Sequence, residues 1–97
     1  MTIEIEWALP CYDGRKSFYG KAYVLEDGWG NAFLRSYDTI VCYIDPSGYF
    51  HRLWDGWSVT TQRHVDSFIT EYNLPHKHRG KAAWMKMPVE KFTAKEE

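Results

Sequence analysis

The chain has 97 residues, of which 44% are hydrophobic and 26% charged, with a formal net charge of −1. This is enough for one compact core and too little for two, so residues 1–97 form a single domain. The composition excludes a disordered chain, the absence of any apolar run near ~20 residues excludes a membrane span, and the near-neutral charge argues against an acidic DNA mimic or a strongly basic nucleic-acid binder.

The aromatic fraction, 18% with five Trp and seven Tyr, is the unusual figure. Trp and Tyr pair a large apolar body with a polar tip, which suits either a small β-rich core or a binding surface. Charge is mildly asymmetric. Residues 1–55 hold five bases against eight acids, while residues 56–97 hold seven bases against five acids, clustered at Lys77, Arg79, Lys81 and Lys86. The start of the chain, Met1 to Glu6, lacks the basic and apolar stretches of a secretory signal, which makes a cytoplasmic protein the expectation. Cys11 and Cys42 are too few for a disulfide framework or a thiolate zinc site, and are expected to be reduced.

In chain order, Ile3, Ile5 and Trp7 alternate with Glu4 and Glu6, predicting a half-buried strand that Pro10 ends. Residues 12–17 read as a loop, and residues 18–25 as a second strand with Phe18, Gly20, Ala22 and Val24 on one side. The cluster Glu26–Asn31 predicts a hairpin into a short strand at residues 32–36. Residues 38–45 are apolar on both faces, as expected of a strand in the middle of the sheet. Asp45-Pro46-Ser47-Gly48 carries type I turn residues, and the strand after it sets Phe50, Arg52 and Trp54 opposite Tyr49, His51 and Leu53.

Ser58 or Thr60 is placed to cap a helix over residues 58–74. Thr61, Val65, Phe68, Ile69 and Tyr72 form its buried stripe, Gln62, Arg63, Asp66, Thr70 and Glu71 its solvated face, and Pro75 stops it. Residues 75–97 are a basic loop, His76-Lys77-His78-Arg79-Gly80, and a short packed tail with Trp84 and Met87 inward and a frayed end from Lys91. The pattern predicts an α+β fold: an antiparallel sheet of four or five strands within residues 1–57, covered on one face by one amphipathic helix, with a short C-terminal helix or turn.

The stretches Leu34-Arg35-Ser36-Tyr37-Asp38-Thr39-Ile40-Val41 and Trp57-Ser58-Val59-Thr60-Thr61-Gln62-Arg63-His64-Val65, the latter followed by Phe68, resemble a family of small uncharacterised proteins encoded by phages and mobile elements of Gram-positive bacteria. The resemblance spans residues 32–74. It implies a setting and no chemistry.

His76-x-His78 lacks companion ligands and lies among bases, so no metal and no cofactor is expected. Cys42 and His51 face a common hairpin, yet so apolar a strand raises a thiol's pKa, and no other nucleophile with a base is visible, so the chain is not read as an enzyme. His64 reads as a histidine at the edge of the core. The expected function is a non-catalytic protein-binding module. In the setting the resemblance implies, it would be an inhibitor of a host defence system such as a CRISPR effector, docking on a host protein or ribonucleoprotein. Trp29, Tyr49, Arg52, Trp57 and Arg79 are the expected exposed anchors. The alternative is a nucleic-acid binder that stacks bases on Tyr19, Tyr23, Tyr49 or Phe50 of an open sheet face and neutralises phosphates with Arg35, Arg52, Lys77, Arg79 and Lys81.

Overall fold

Alternating strands joined by short turns fold the first half of the chain into an antiparallel meander, seen in a computed structural model that describes residues 2–14, 18 and 20–93. Strands β1 (Ile3–Ala8), β2 (Ala22–Asp27), β3 (Ala32–Ser36), β4 (Thr39–Ile44) and β5 (Phe50–Arg52) lie in sequence order across one sheet. Helix α1 (Val59–Glu71) packs on one face, followed by a 3-10 turn at His76–His78 and a short helix α2 (Lys81–Lys86). The fold is α+β.

Two sequence expectations shift. The second strand begins at Ala22 rather than Phe18, because the Lys21 amide donates to the Phe18 carbonyl and closes a turn there. The middle strand is β3, not the segment 38–45: a meander orders strands as the chain does, and β5 follows β4 as the edge. Strand β4 is nonetheless covered on both sides, with Val41, Cys42 and Ile44 in the core beneath α1 and Tyr43 in a second cluster on the other face.

Helix α1 starts where Ser58, in extended conformation, accepts the Thr61 amide at 3.1 Å. That bond satisfies one of the amides a helix start leaves unpaired. Its apolar stripe sets Val65, Phe68 and Ile69 against Val24, Leu34 and Phe50. Each such side chain contributes about 1.5–3 kcal/mol of burial. Trp84 of α2 completes this core at 1% exposure, its indole N–H donating to the Gly56 carbonyl.

The second face carries its own cluster, Leu25, Phe33 and Tyr43, and residues after α2 strap it down. Val89 bridges Arg52 as a parallel neighbour, the Glu90 amide donates to the Arg52 carbonyl at 2.8 Å, and the Phe92 ring meets Phe33 and Tyr43 edge-on. Phe92 therefore belongs to this cluster and not to a frayed end; residues 94–97 lie outside those described.

His51 locks the strap. Its ring stacks on Tyr43, its Nε2 lies 2.7 Å from Asp45 Oδ2, and its Nδ1 lies 3.0 Å from the Glu90 carboxylate. Burial disfavours the imidazolium, but the two carboxylates outweigh it and raise the pKa above 6.5. A raised folded-state value means the stabilisation is fully present below pH 6.5 and is lost as pH rises through the folded pKa. An NMR titration of the His51 ring is expected to give a midpoint above 6.5 that falls back in Glu90→Gln. A midpoint unmoved by that substitution would mean the strap is not held this way.

Candidate functional site

The outward side of α1, with the chain around it, forms a groove of about 380 Å³. Its floor is Gln62, Asp66, Ser67 and Thr70 of the helix, which are short or already hydrogen-bonded side chains. One wall comes from the β1–β2 connection, where the Tyr12 amide donates to Ser67 Oγ and the Tyr12 hydroxyl to Glu71 at 2.6 Å. Asp13 on the same wall holds the Arg63 guanidinium through contacts of 2.5 and 3.2 Å. The opposite wall is Trp57, Val59, Arg79 and Lys81.

That second wall is built by local geometry. Asp66 accepts the Gly80 amide at 3.0 Å, and Gly80 sits at φ 88, so the chain turns sharply and lays Arg79 and Lys81 along the helix. The Lys81 ammonium lies 4.2 Å above the Trp57 ring, whose indole N–H donates to Gln62 Oε1 at 2.8 Å. Gln62, expected on the solvated face, is buried because it bonds both Trp57 and Asp66. Arg79 is exposed, and neither it nor Lys81 makes an ion pair among the described residues. The first turn of α1 contains no acidic residue, so nothing there offsets the positive end of the helix.

The structure brings Trp57, Arg79 and Lys81 into one site, joining two expected partner anchors with one residue from the nucleic-acid alternative. Trp29 and Tyr49 are exposed, at 52% and 69%, but lie in the turns after β2 and β4, outside the groove. Those turns touch, since a Cβ on Gly30 would come 3.2 Å from Pro46, and Asp27 holds the first of them by accepting the Trp29 and Asn31 amides.

Arg52 is not an exposed anchor. It is 3% exposed, and its guanidinium donates to the carbonyls of Trp54, Asp55, Trp84 and Met87 while lying 4.8 Å from the Trp84 ring. Phe50, offered as a stacking platform, is also buried, against Phe68. Tyr23 and Arg35 face each other across β2 and β3 on the far side of the sheet, with the Arg35 guanidinium 5.1 Å from the Tyr23 ring and 3.4 Å from Glu6. Lys77 is exposed in the 3-10 turn, which packs against α1 and α2, so Tyr23 and Arg35 lie on the opposite side of the sheet from Lys77. Tyr19 lies outside the described residues.

Cys42 is fully buried on the α1 side, where burial pushes its thiol pKa well up, and its strand neighbour is Arg52 rather than His51. His51 pairs with Tyr43 on the other face, so the two do not meet. Cys11 and Cys42 are not joined by a disulfide, and the Cys11 thiol donates to Asp13 Oδ1 at 2.9 Å. His64 is buried with Nδ1 2.7 Å from Ser36 Oγ, which also meets Thr61 Oγ1 at 2.9 Å, and the Phe18 ring packs edge-on against it. This hydroxyl–imidazole pair ties β3 to α1 and does not line the groove. Among the described residues, no three His, Cys, Asp or Glu side chains converge as metal ligands, and no helix is long and apolar enough to cross a membrane.

Tyr12, Asp13, Val59 and Asp66 line the site without having been singled out. The available signal was the polar face of α1 beside a basic loop; what it lacked was the fold-back of the β1–β2 connection.

No curated protein and no solved structure matches the chain. A family model matches residues 8–86, a stretch that includes every residue of the groove. The chain belongs to that family, the family of unknown function DUF8033.

Proposed function

We propose that the chain is a non-catalytic protein-binding module that docks through the groove beside α1. The observation that carries this reading is the wall in which Trp57, capped by Lys81 at 4.2 Å, stands next to the exposed Arg79. Trp and Arg dominate the energetics of protein interfaces, and a partly buried Trp already held by Gln62 loses little freedom on binding. The motifs at residues 34–41 and 57–65 support a phage or mobile-element setting, in which the partner is a host protein or ribonucleoprotein and the role is inhibition of a defence system such as a CRISPR effector.

A photoreactive amino acid at Val59, 63% exposed on the groove wall, is expected to cross-link a protein in lysate of a Gram-positive host, with or without nuclease. The same group at Tyr23, on the far sheet face, serves as control. Trp57→Ala is expected to weaken the cross-link at least ~10-fold, about 1.4 kcal/mol or more. Cross-links only to nucleic acid, or equal protein cross-linking from both positions, would overturn the reading.

A further inference from the structure

We infer that the groove receives an acidic segment of a partner protein, a stretch whose aspartate or glutamate carboxylates meet Arg79 and Lys81 while an apolar side chain lies against Trp57 and Val59. The inference rests on the docking reading above and names the chemistry of its partner.

Charge is unevenly compensated along the two walls. Asp13 is engaged by Arg63 at 2.5 and 3.2 Å, so those two charges largely cancel within the protein. Asp66 points one oxygen at the Gly80 amide and the Gln62 amide, which positions the second wall but offers it no ion pair. Arg79 and Lys81 are exposed cations with no carboxylate within 4.0 Å among the described residues. The ring beneath Lys81 attracts the ammonium and leaves its charge unneutralised. A ligand in the groove thus meets two uncompensated cations along one wall, the Asp66 carboxylate on the floor beside them, and a mutually neutralised Asp13–Arg63 pair on the other wall.

That arrangement discriminates between anions. A nucleic-acid strand carries a phosphate at every step and would set one against Asp66, the lining carboxylate that no cation offsets among the described residues; like charges across an interface cost affinity. A peptide places carboxylates on chosen side chains and can direct them to one wall only. The volume of about 380 Å³ lies near the lower end of the range for ligand sites, ~300–1,000 Å³, which suits a few side chains rather than a long duplex or strand. Val59 and the Trp57 ring give the apolar surface that such a segment needs beyond its charges.

The test uses the full chain and three fluorescein-labelled probes in anisotropy titrations: a short peptide alternating Asp or Glu with Leu or Phe, the same peptide with Asn and Gln in place of the acids, and oligothymidylate. The acidic peptide is expected to bind at least ~10-fold more tightly than its amide counterpart, and the preference is expected to vanish in Arg79→Glu/Lys81→Glu. Both side chains are exposed, so thermal melting of the double variant reports that the fold is intact. A second variant, Arg35→Glu on the far face, is expected to leave acidic-peptide binding unchanged. Equal binding of the two peptides, no binding of either, or tighter binding of oligothymidylate would overturn the inference. If the cross-link at position 59 persists in any of those cases, the docking reading survives and only the acidic chemistry fails; if it is lost too, both fail.

Discussion

Replacing Arg52 with methionine is expected to destabilise the fold by about 3–5 kcal/mol. The guanidinium is 3% exposed and makes bonds of 2.8 Å to the Trp54 carbonyl, 2.9 Å to Asp55, 3.0 Å to Trp84 and 3.3 Å to Met87. Those carbonyls belong to the link after β5 and the end of α2, two segments that the Trp84 indole on the Gly56 carbonyl also joins. Methionine fills a similar volume but donates nothing, so the part-buried carbonyls of Trp54, Asp55 and Met87 lose this partner, the Trp84 carbonyl keeps only the Met87 amide, and the Trp84 ring loses its cation contact at 4.8 Å. Lysine is no substitute, because one ammonium cannot reproduce a planar fork aimed at carbonyls on two sides. Against a domain stability of about 5–15 kcal/mol, Arg52→Met is left marginal. Urea unfolding should show the midpoint falling by about 2 M or more, with Arg52→Lys between the two. A loss under about 1 kcal/mol in Arg52→Met would refute this account of how the C-terminal third is attached.

Acid is the second large perturbation, and it acts through His64. Burial first, and the neighbouring Arg63 charge second, push the His64 pKa down from 6.5 to about 4. The unfolded chain takes up this proton as pH falls through 6.5, whereas the folded chain resists until about 4. Stability is therefore lost across that window, by up to about 3 kcal/mol, and levels off below it. His78, lowered by burial and then by Lys77, contributes with the same sign, while the raised pKa of His51 acts on the alkaline side of 6.5. The separating measurement is the difference between the stability–pH curves of the protein and of His64→Gln, which retains a hydrogen-bonding group for Ser36. The protein's curve should be steeper between pH 6.5 and 4. Parallel curves would show that His64 is not held neutral.

The meander was legible because its signals are local. Asp45-Pro46-Ser47-Gly48 names its own turn, and the structure closes it with the Gly48 amide on the Asp45 carbonyl at 2.9 Å and two further amides on the Asp45 carboxylate. The Ser58 cap and the stripe at Val65, Phe68 and Ile69 are similarly written within a few residues. Arg52 shows where such reading ends. Alternation put it on the face of Phe50, which is correct, but a charged residue there has two outcomes, exposure or internal pairing. The acceptors that decide between them are carbonyls, one of them 32 residues downstream, and a carbonyl leaves no mark in the residue alphabet. The groove has the same character: its walls come from residues 12–13 and 57–81, brought together by Tyr12 on Ser67 and Gly80 on Asp66.

The strap formed by Val89, Glu90 and Phe92 also bears on solubility. A meander has two bare margins, each a row of backbone donors and acceptors able to recruit another chain's strand. The β1 margin carries exposed Glu4 and Glu6 and a register shift between Ile3 and Ile5, features that discourage sheet-to-sheet stacking. Strand β5 has no such charges facing out and is guarded instead by the strap, which lies beyond residue 86, where the family match ends. A polypeptide cut at that boundary would keep the groove yet bare the β5 margin and the Phe33–Tyr43 surface together, turning a covered sheet edge into a template for aggregation.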